Sequence, residues 1–178
     1  CAPHPLEGFS MTISIHDLAV AAPIARLEAL KKVLEKAQAH CVARKIAPEA
    51  LLGMRLFPDM FPLSRQIQLA SDFAKGPAAR LAGVENPKMT DDETTFEHLY
   101  ARIEKTISFL RSLPAEKFAQ SGAQTIEFTA GGAKRTMGGS DYLVSYATPN
   151  LYFHVVTAYD ILRQGGVEIG KRDFIGVA

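Results

Sequence analysis

The stretch Ser140-Asp-Tyr-Leu-Val-Ser-Tyr-Ala-Thr-Pro-Asn-Leu-Tyr-Phe-His-Val-Val-Thr-Ala-Tyr-Asp-Ile-Leu-Arg-Gln164 decides the reading of the fold. Within it Val144, Thr148, Leu151, Val155, Ala158 and Leu162 recur every three or four residues, which lays them along one seam of a helix, with Leu143, Ala147, Phe153 and Ile161 beside it. A helix apolar over so much of its circumference belongs inside a helical protein, and it is expected to be the most buried of its helices. Asn150 and His154 stand four residues apart and so share a face of it. An interior amide and an interior imidazole need partners, at a cost of roughly 1 to 3 kcal/mol for each left without one. This pair is therefore the first candidate for a site.

Upstream, Gly138-Gly139 leads into Ser140-Asp141, which are expected to cap that helix. Before it, Gln124-Thr-Ile-Glu-Phe-Thr129 alternates polar and apolar residues, Ala130-Gly-Gly-Ala133 turns, and Lys134-Arg-Thr-Met137 returns, the pattern of a two-stranded hairpin. A third helix is expected from the capping box Thr90-Asp-Asp-Glu93, with Phe96, Leu99, Tyr100, Ile103, Ile107, Leu110 and Leu113 on one stripe and a stop at Pro114. A second runs from Pro62 or Leu63 to Leu81, buries Leu63, Ile67, Ala70, Ala74 and Leu81, is kinked at Gly76-Pro77 and ends at Gly83. The first starts at Ser14-Ile-His-Asp17 and reaches Arg44, with Leu27, Leu30, Leu34, Ala37 and Cys41 inward and Arg26, Glu28, Lys31, Lys32, Glu35 and Lys36 outward; Pro23 bends it or marks its true start. The connection from Pro48 to Pro62 contains Phe57-Pro-Asp-Met-Phe-Pro62, apolar enough to be expected to pack under the helices. These elements describe an all-α fold, a four-helix bundle with a small β-hairpin between the third and fourth helices.

Composition narrows the function. Of the 178 residues 47% are hydrophobic and 22% charged, and the net charge is +1 with basic and acidic residues interspersed. A nucleic-acid surface needs a concentrated positive patch, so no nucleic-acid partner is expected. No apolar run approaches the roughly 18 residues of a membrane span, so no membrane partner is expected either. Cys1 and Cys41 make neither a disulfide framework nor a zinc motif, and a reducing, cytoplasmic setting is expected. Residues 1–10 are read as a cloning remnant or a disordered leader and residues 11–178 as a single domain, so Cys1 and His4 carry no site argument. His16, His40 and His98 lack partners at ligand spacing and are expected in solvated or helix-end positions. Cys41 is expected to be an inert packed thiol, and the glycines at 131, 132, 138 and 139 to serve turns rather than a phosphate loop.

Taken together, Leu56-Phe-Pro-Asp-Met-Phe-Pro62, Arg80-Leu-Ala-Gly83, Pro149-Asn-Leu-Tyr-Phe-His154, Ala158-Tyr-Asp-Ile-Leu-Arg163 and Ile169-Gly-Lys-Arg-Asp-Phe-Ile-Gly176 resemble a bacterial family catalogued as a domain of unknown function. That family is similar to a branch of the DinB and YfiT-like superfamily, whose members are four-helix bundles, often homodimers, and regarded as metalloenzymes. The resemblance implies a homodimer. It also implies, for metal-bearing members, one histidine on the second helix and two at an i, i+4 spacing on the last. Here His154 stands at one such position, Asn150 stands where its partner would be, and Leu63 to Leu81 contains no histidine. One imidazole with amides is a poor set for zinc or nickel, so neither a metal nor another cofactor is expected.

The candidate ligand-binding residues are His154, Asn150, Gln66 and Asp59, the last also a candidate cap for the second helix; Gln68 and Asp72 are the other polar candidates of that helix. Three functions fit this set. It describes a bundle that has lost the metal and binds a small molecule in its core, a metal-dependent transferase or hydrolase in which a carboxylate such as Asp59 or Asp72 joins His154, or a structural or partner-binding protein in which the pair only fixes helix register.

Overall fold

The computed structural model describes residues 13–177; the expectations for residues 1–10, Cys1 and His4 among them, lie outside the described residues. The chain is mostly helical with one two-stranded antiparallel hairpin. A π-helical turn, Asp17–Ala21, opens α1 (Ala22–Arg44); a short α2 (Pro48–Leu52) follows, then α3 (Leu63–Ala82), α4 (Phe96–Arg111) and a 3-10 turn (Ala115–Phe118). Strands β1 (Thr125–Ala130) and β2 (Ala133–Gly138) precede α5 (Gly139–Asp141), a second π segment (Tyr142–Ala147), α6 (Thr148–Gln164) and α7 (Lys171–Ile175). Helix α3 packs against both α6 and α4, and α1 against α4, α6 and α7.

The stripes read from the sequence meet in one core: Leu27 and Leu34 of α1, Leu63 and Ile67 of α3, Leu99, Ile103 and Leu110 of α4, and Ile161 and Leu162 of α6 are fully buried. Each such side chain contributes roughly 1.5 to 3 kcal/mol by leaving water. Helix α3, not α6, is the most buried: 14 of its 20 residues are buried, against 7 of 17 in α6. The excess in α3 comes from small and polar residues, including Gln66, Gln68, Ser71 and Lys75, on the face the apolar spacing left for solvent.

Both π segments sit two residues before a proline, Pro23 in one case and Pro149 in the other. A proline ring collides with the carbonyl four residues back and offers no amide to it; here those carbonyls belong to Ala19 and Ser145, each inside a widened turn. The bulge therefore lets the helical run continue through the proline. It also shifts the phase of the fourth long run, so that Tyr142, Leu143 and Ala147 are buried while Val144 and Phe153, expected inward, are 57% and 56% exposed.

One expected helix start formed and others moved. Ser14 and Asp17 cap the first run reciprocally, the Asp17 amide donating to Ser14 Oγ and the Ser14 amide to Asp17 Oδ2, each at 3.0 Å. The expected capping box at Thr90 does not form: α4 begins at Phe96, and Thr95 Oγ1 accepts from the His98 amide. Glu93, expected to close that box, instead accepts from Arg102 and Gln68. Ser140 and Asp141 do not cap either; Gly138 holds that position and Ser140 Oγ donates to the Gly122 carbonyl. Arg26, expected outward, is buried and donates to the Phe174 and Ile175 carbonyls, which ties α7 to α1. Phe57 and Phe61, expected under the helices, are 62% and 55% exposed, while Leu51 and Leu52 of α2 take the buried places.

The hairpin turns on Gly131 and Gly132, both at positive φ, and pairs Thr125 with Gly138 through Ala130 with Ala133. Its base is fixed to α3 by Gln124, whose side-chain amide donates to the Leu81 carbonyl at 2.9 Å. A Cβ at Gly139 would overlap the Ser121 carbonyl oxygen at 1.8 Å, so only glycine allows the hairpin base and the fourth helical run to lie this close.

Candidate functional site

His154 and Gln66 meet across α6 and α3. The ring Nδ1 lies 2.8 Å from Gln66 Oε1, and Gln66 Nε2 donates to the Phe61 carbonyl at 3.1 Å. Because the amide nitrogen is engaged by Phe61, Oε1 is the acceptor and His154 carries its proton on Nδ1, leaving Nε2 with a lone pair. The ring stacks on Phe73, with centroids 5.5 Å apart and planes 19° apart, and meets the edge of Phe153 at 5.3 Å. Burial first, and then the Arg65 guanidinium, push its pKa from 6.5 down to about 4 against the opposing pull of Asp72. The imidazole is neutral at pH 7.

The other candidates do not join it. The Asn150 side chain is half-buried and donates to the Tyr146 carbonyl of its own helix at 2.7 Å, so an i, i+4 spacing did not make a shared site. Asp59 is exposed in the loop before α3, and Pro62 occupies the N-cap without a side-chain bond, so Asp59 neither caps α3 nor reaches the pair. Asp72 lies one turn and more beyond Gln66, where it holds Lys75 at 3.1 Å and Arg102 at 2.9 Å. Arg102, buried on α4, also binds Glu93 at 2.8 Å and Asp91 at 3.0 Å, and Gln68 donates to Glu93 at 2.8 Å. This ionic node fastens the 84–95 loop across α3 and α4. Of the other histidines, His98 is exposed, His40 is half-buried, and His16 packs on Phe118 with Nε2 3.2 Å from the Leu113 carbonyl. Cys41 is buried, and burial pushes its thiol pKa up, as expected of an inert packed thiol.

An open cleft of about 540 Å³ has Phe73, the ring on which His154 stacks, in its lining. Phe73, Lys75, Gly76 and Arg80 of α3, Asn86 and Lys88 of the loop, Phe128 and Thr129 of β1, and Tyr142 and Tyr146 of the π segment line it. Rings connect it to the imidazole: His154 on Phe73, Phe73 to Tyr146 at 6.0 Å, Tyr146 to Phe128 at 4.5 Å, and Phe128 to Tyr142 at 4.8 Å. Sequence reasoning missed this wall. The available signal was Lys75, a cation set among the small and apolar residues Ala74, Gly76, Pro77, Ala78 and Ala79.

The model of the family described as Domain of unknown function (DUF1993) matches residues 15–175. The chain belongs to this family. A solved structure of a DinB family member protein from Shewanella denitrificans is also similar, at 37% identity and a TM-score of 0.85, over 92% of this chain and 93% of that one. No curated protein matches. For a DUF1993 chain with a DinB neighbour, the metal implied by the superfamily has to be tested against the side chains present. Among the described residues no group of three His, Cys, Asp or Glu side chains gathers where an ion could be held. His154 is joined across the helices only to the neutral Gln66 amide, through Nδ1, and Asn150 is turned to its own backbone. The superfamily metal does not fit this donor set.

Proposed function

We propose that this DUF1993 chain is a DinB-like four-helix bundle, with its hairpin between the third and fourth long helices, that binds a small organic molecule without the superfamily metal. The observation that carries this reading is the cleft of about 540 Å³ along α3, which falls in the range of roughly 300 to 1,000 Å³ typical of ligand sites and combines aromatic walls with a few converging polar groups. The His154 and Gln66 pair is then what remains of the metal position: a neutral imidazole and an amide hold the back of the Phe73 wall in register. Work inside a cytoplasmic homodimer is part of the same proposal, supported by the superfamily resemblance and by exposed Tyr152, Phe153 and Val156 on the outer face of α6. No helix of the described residues is long and apolar enough to cross a membrane.

The test has two arms. Protein purified without a metal-affinity step is analysed for metal and titrated with zinc and nickel; stoichiometric metal bound through His154 would replace this reading with the metalloenzyme one. A thermal-shift screen of small thiols, nucleotides and acyl compounds is run on the wild type and on Thr129→Trp, which fills the cleft from an exposed strand position. Hits lost in Thr129→Trp support the cleft; a screen silent in both, or hits that persist with the cleft filled, count against it. Sedimentation at several concentrations tests the dimer.

A further inference from the structure

The charges around the cleft are unevenly satisfied. Three cations line it, Lys75, Arg80 and Lys88, against two carboxylates, Asp72 and Asp91. Both carboxylates are already held from behind by guanidinium groups outside the lining: Arg102 reaches both, and Arg65 donates to Asp91. Arg80 and Lys88, by contrast, have no carboxylate within ion-pair distance among the described residues. A positive field is left in the opening.

The donors there are also incompletely used. Lys75 is only 4% exposed, and buried lysines are rare unless paired. Its ammonium has three N–H groups, and Asp72 at 3.1 Å and Asn86 at 3.3 Å engage two of them. Arg80 Nη1 donates to the Tyr142 hydroxyl oxygen at 3.2 Å, which leaves most of the guanidinium fork and the phenol's own O–H without an acceptor among the described residues. The guanidinium lies close over Gly76, where an added Cβ would be 3.1 Å from Nη1. The rings of Phe128 and Tyr146, with centroids 4.5 Å apart, line the same cleft.

We infer that the cleft binds an organic anion, a carboxylate or phosphate monoester with a flat apolar body. Arg80, Lys75 and the Tyr142 hydroxyl bind the anionic head, and Phe128 and Tyr146 receive the body. This assignment rests on the cleft being a ligand site and names the chemical class of its ligand.

Calorimetric titration of the full chain with naphthoate, naphthyl phosphate and neutral naphthamide tests it, the two anions deciding between the two kinds of head. At least one anion is expected to bind saturably, more weakly as salt is added, with naphthamide at least tenfold weaker. Arg80→Gln, at an exposed position, should weaken the anion about tenfold or more, as loss of a charge-assisted hydrogen bond does. Tyr142→Phe, which keeps the buried ring, should weaken it roughly three- to tenfold by removing the hydroxyl. Thr129→Trp should abolish binding of all three compounds. Naphthamide binding as tightly as the tighter of the two anions, or an anion affinity unchanged in Arg80→Gln, overturns the assignment. If Thr129→Trp still blocks naphthamide in that case, the cleft remains a ligand site and only the anion class falls. If none of the compounds binds, both fall.

Discussion

The start and the middle of α3 solve the problem of interior polarity differently. Near its start, Gln66 meets His154 as two neutral groups, each with one or two bonds, wrapped by Phe73 and Phe153. Toward its middle, Asp72 and Lys75 join Arg102, Glu93 and Asp91 in a node of full charges drawn from α3, α4 and the intervening loop. A neutral pair gives up modest hydration and can be replaced by apolar groups of similar shape at little net cost. A buried charge cannot lose its partners in that way. The first arrangement can therefore be exchanged for plain packing, whereas the second fixes where the 84–95 loop lies, and residues of that loop line the cleft.

The difference predicts the largest stability effect in the molecule. Arg102→Ala should cost roughly 3 kcal/mol, because it leaves the largely buried Glu93 without a cation and takes one of two cationic partners from Asp72 and from Asp91, which keep Lys75 and Arg65. Urea unfolding measures the loss, and limited proteolysis should cut within residues 88–95 first. A loss below about 1 kcal/mol would place the node among ordinary surface ion pairs and erase the contrast.

At the neutral end, Gln66→Leu should cost about 2 kcal/mol, since it leaves the His154 Nδ1–H and the Phe61 carbonyl without partners. Adding His154→Leu should restore much of that loss, because both halves of the pair then leave together. If the double replacement is as destabilised as the sum of the single ones, the pair is not a unit.

Acid should separate the two arrangements as well. The folded ring is held at about 4, against 6.5 for an ordinary imidazole, mainly by burial and then by Arg65. Above pH 6.5 the ring is neutral folded or unfolded, and its contribution is complete. As the pH falls from 6.5 toward 4 only the unfolded chain takes the proton, so stability declines, by roughly 2 kcal/mol given that some water still reaches the ring edge. In His154→Leu this part of the slope should disappear. The Asp17 carboxyl, held low by the Ser14 amide, and the Asp173 carboxyl, held low by Lys36, act at lower pH and should keep their effect. An unchanged slope between pH 6.5 and 4 in the variant would show that the imidazole is not the group responsible.

How far the sequence could be read follows the same division. Apolar stripes report which face is buried, so Leu27 to Cys41, Leu63 to Leu81 and Phe96 to Leu110 were legible as helices. The Gly131-Gly132 turn and its flanking alternation were legible as a hairpin for a similar local reason. Of the candidate site, Gln66 and His154 come together, although they lie 88 residues apart, while Asn150 and Asp59 do not join them. What was not legible depends on partners from distant elements. Arg26 and Arg102 carry charges that a sequence reading assigns to solvent, although Arg26 lies i,i+4 to Leu30 on the apolar stripe; only α7 and the 84–95 loop supply the partners that let them be interior. The π segments likewise hide in a proline rule that gives a break where the chain widens and goes on. Lys75, Arg80 and Tyr142, from two separate elements, become a cleft only after α3 and the π segment are placed side by side.

The smallest effect tests whether the ionic node displaced the start of α4. Two threonines compete for that start. Thr90 heads the sequence motif with Glu93 three residues on, yet its hydroxyl donates to Asp92 at 2.8 Å; Thr95 has no acidic residue at the matching place but accepts from the His98 amide at 3.2 Å. Losing an N-cap oxygen costs about 1 kcal/mol, so Thr95→Ala should lower stability by that amount and Thr90→Ala by less than about 0.5 kcal/mol. The order should depend on Arg102. Once Arg102→Ala frees Glu93, its carboxylate can return to the Thr90 amide, and the helix can begin one turn and more earlier. In that background Thr90→Ala should become the costlier substitution of the two, at roughly 1 kcal/mol. Urea unfolding of the four variants decides it: if Thr95 remains the dominant cap without Arg102, the 90–95 segment is kept out of α4 by its own backbone and not by the pull of a buried cation.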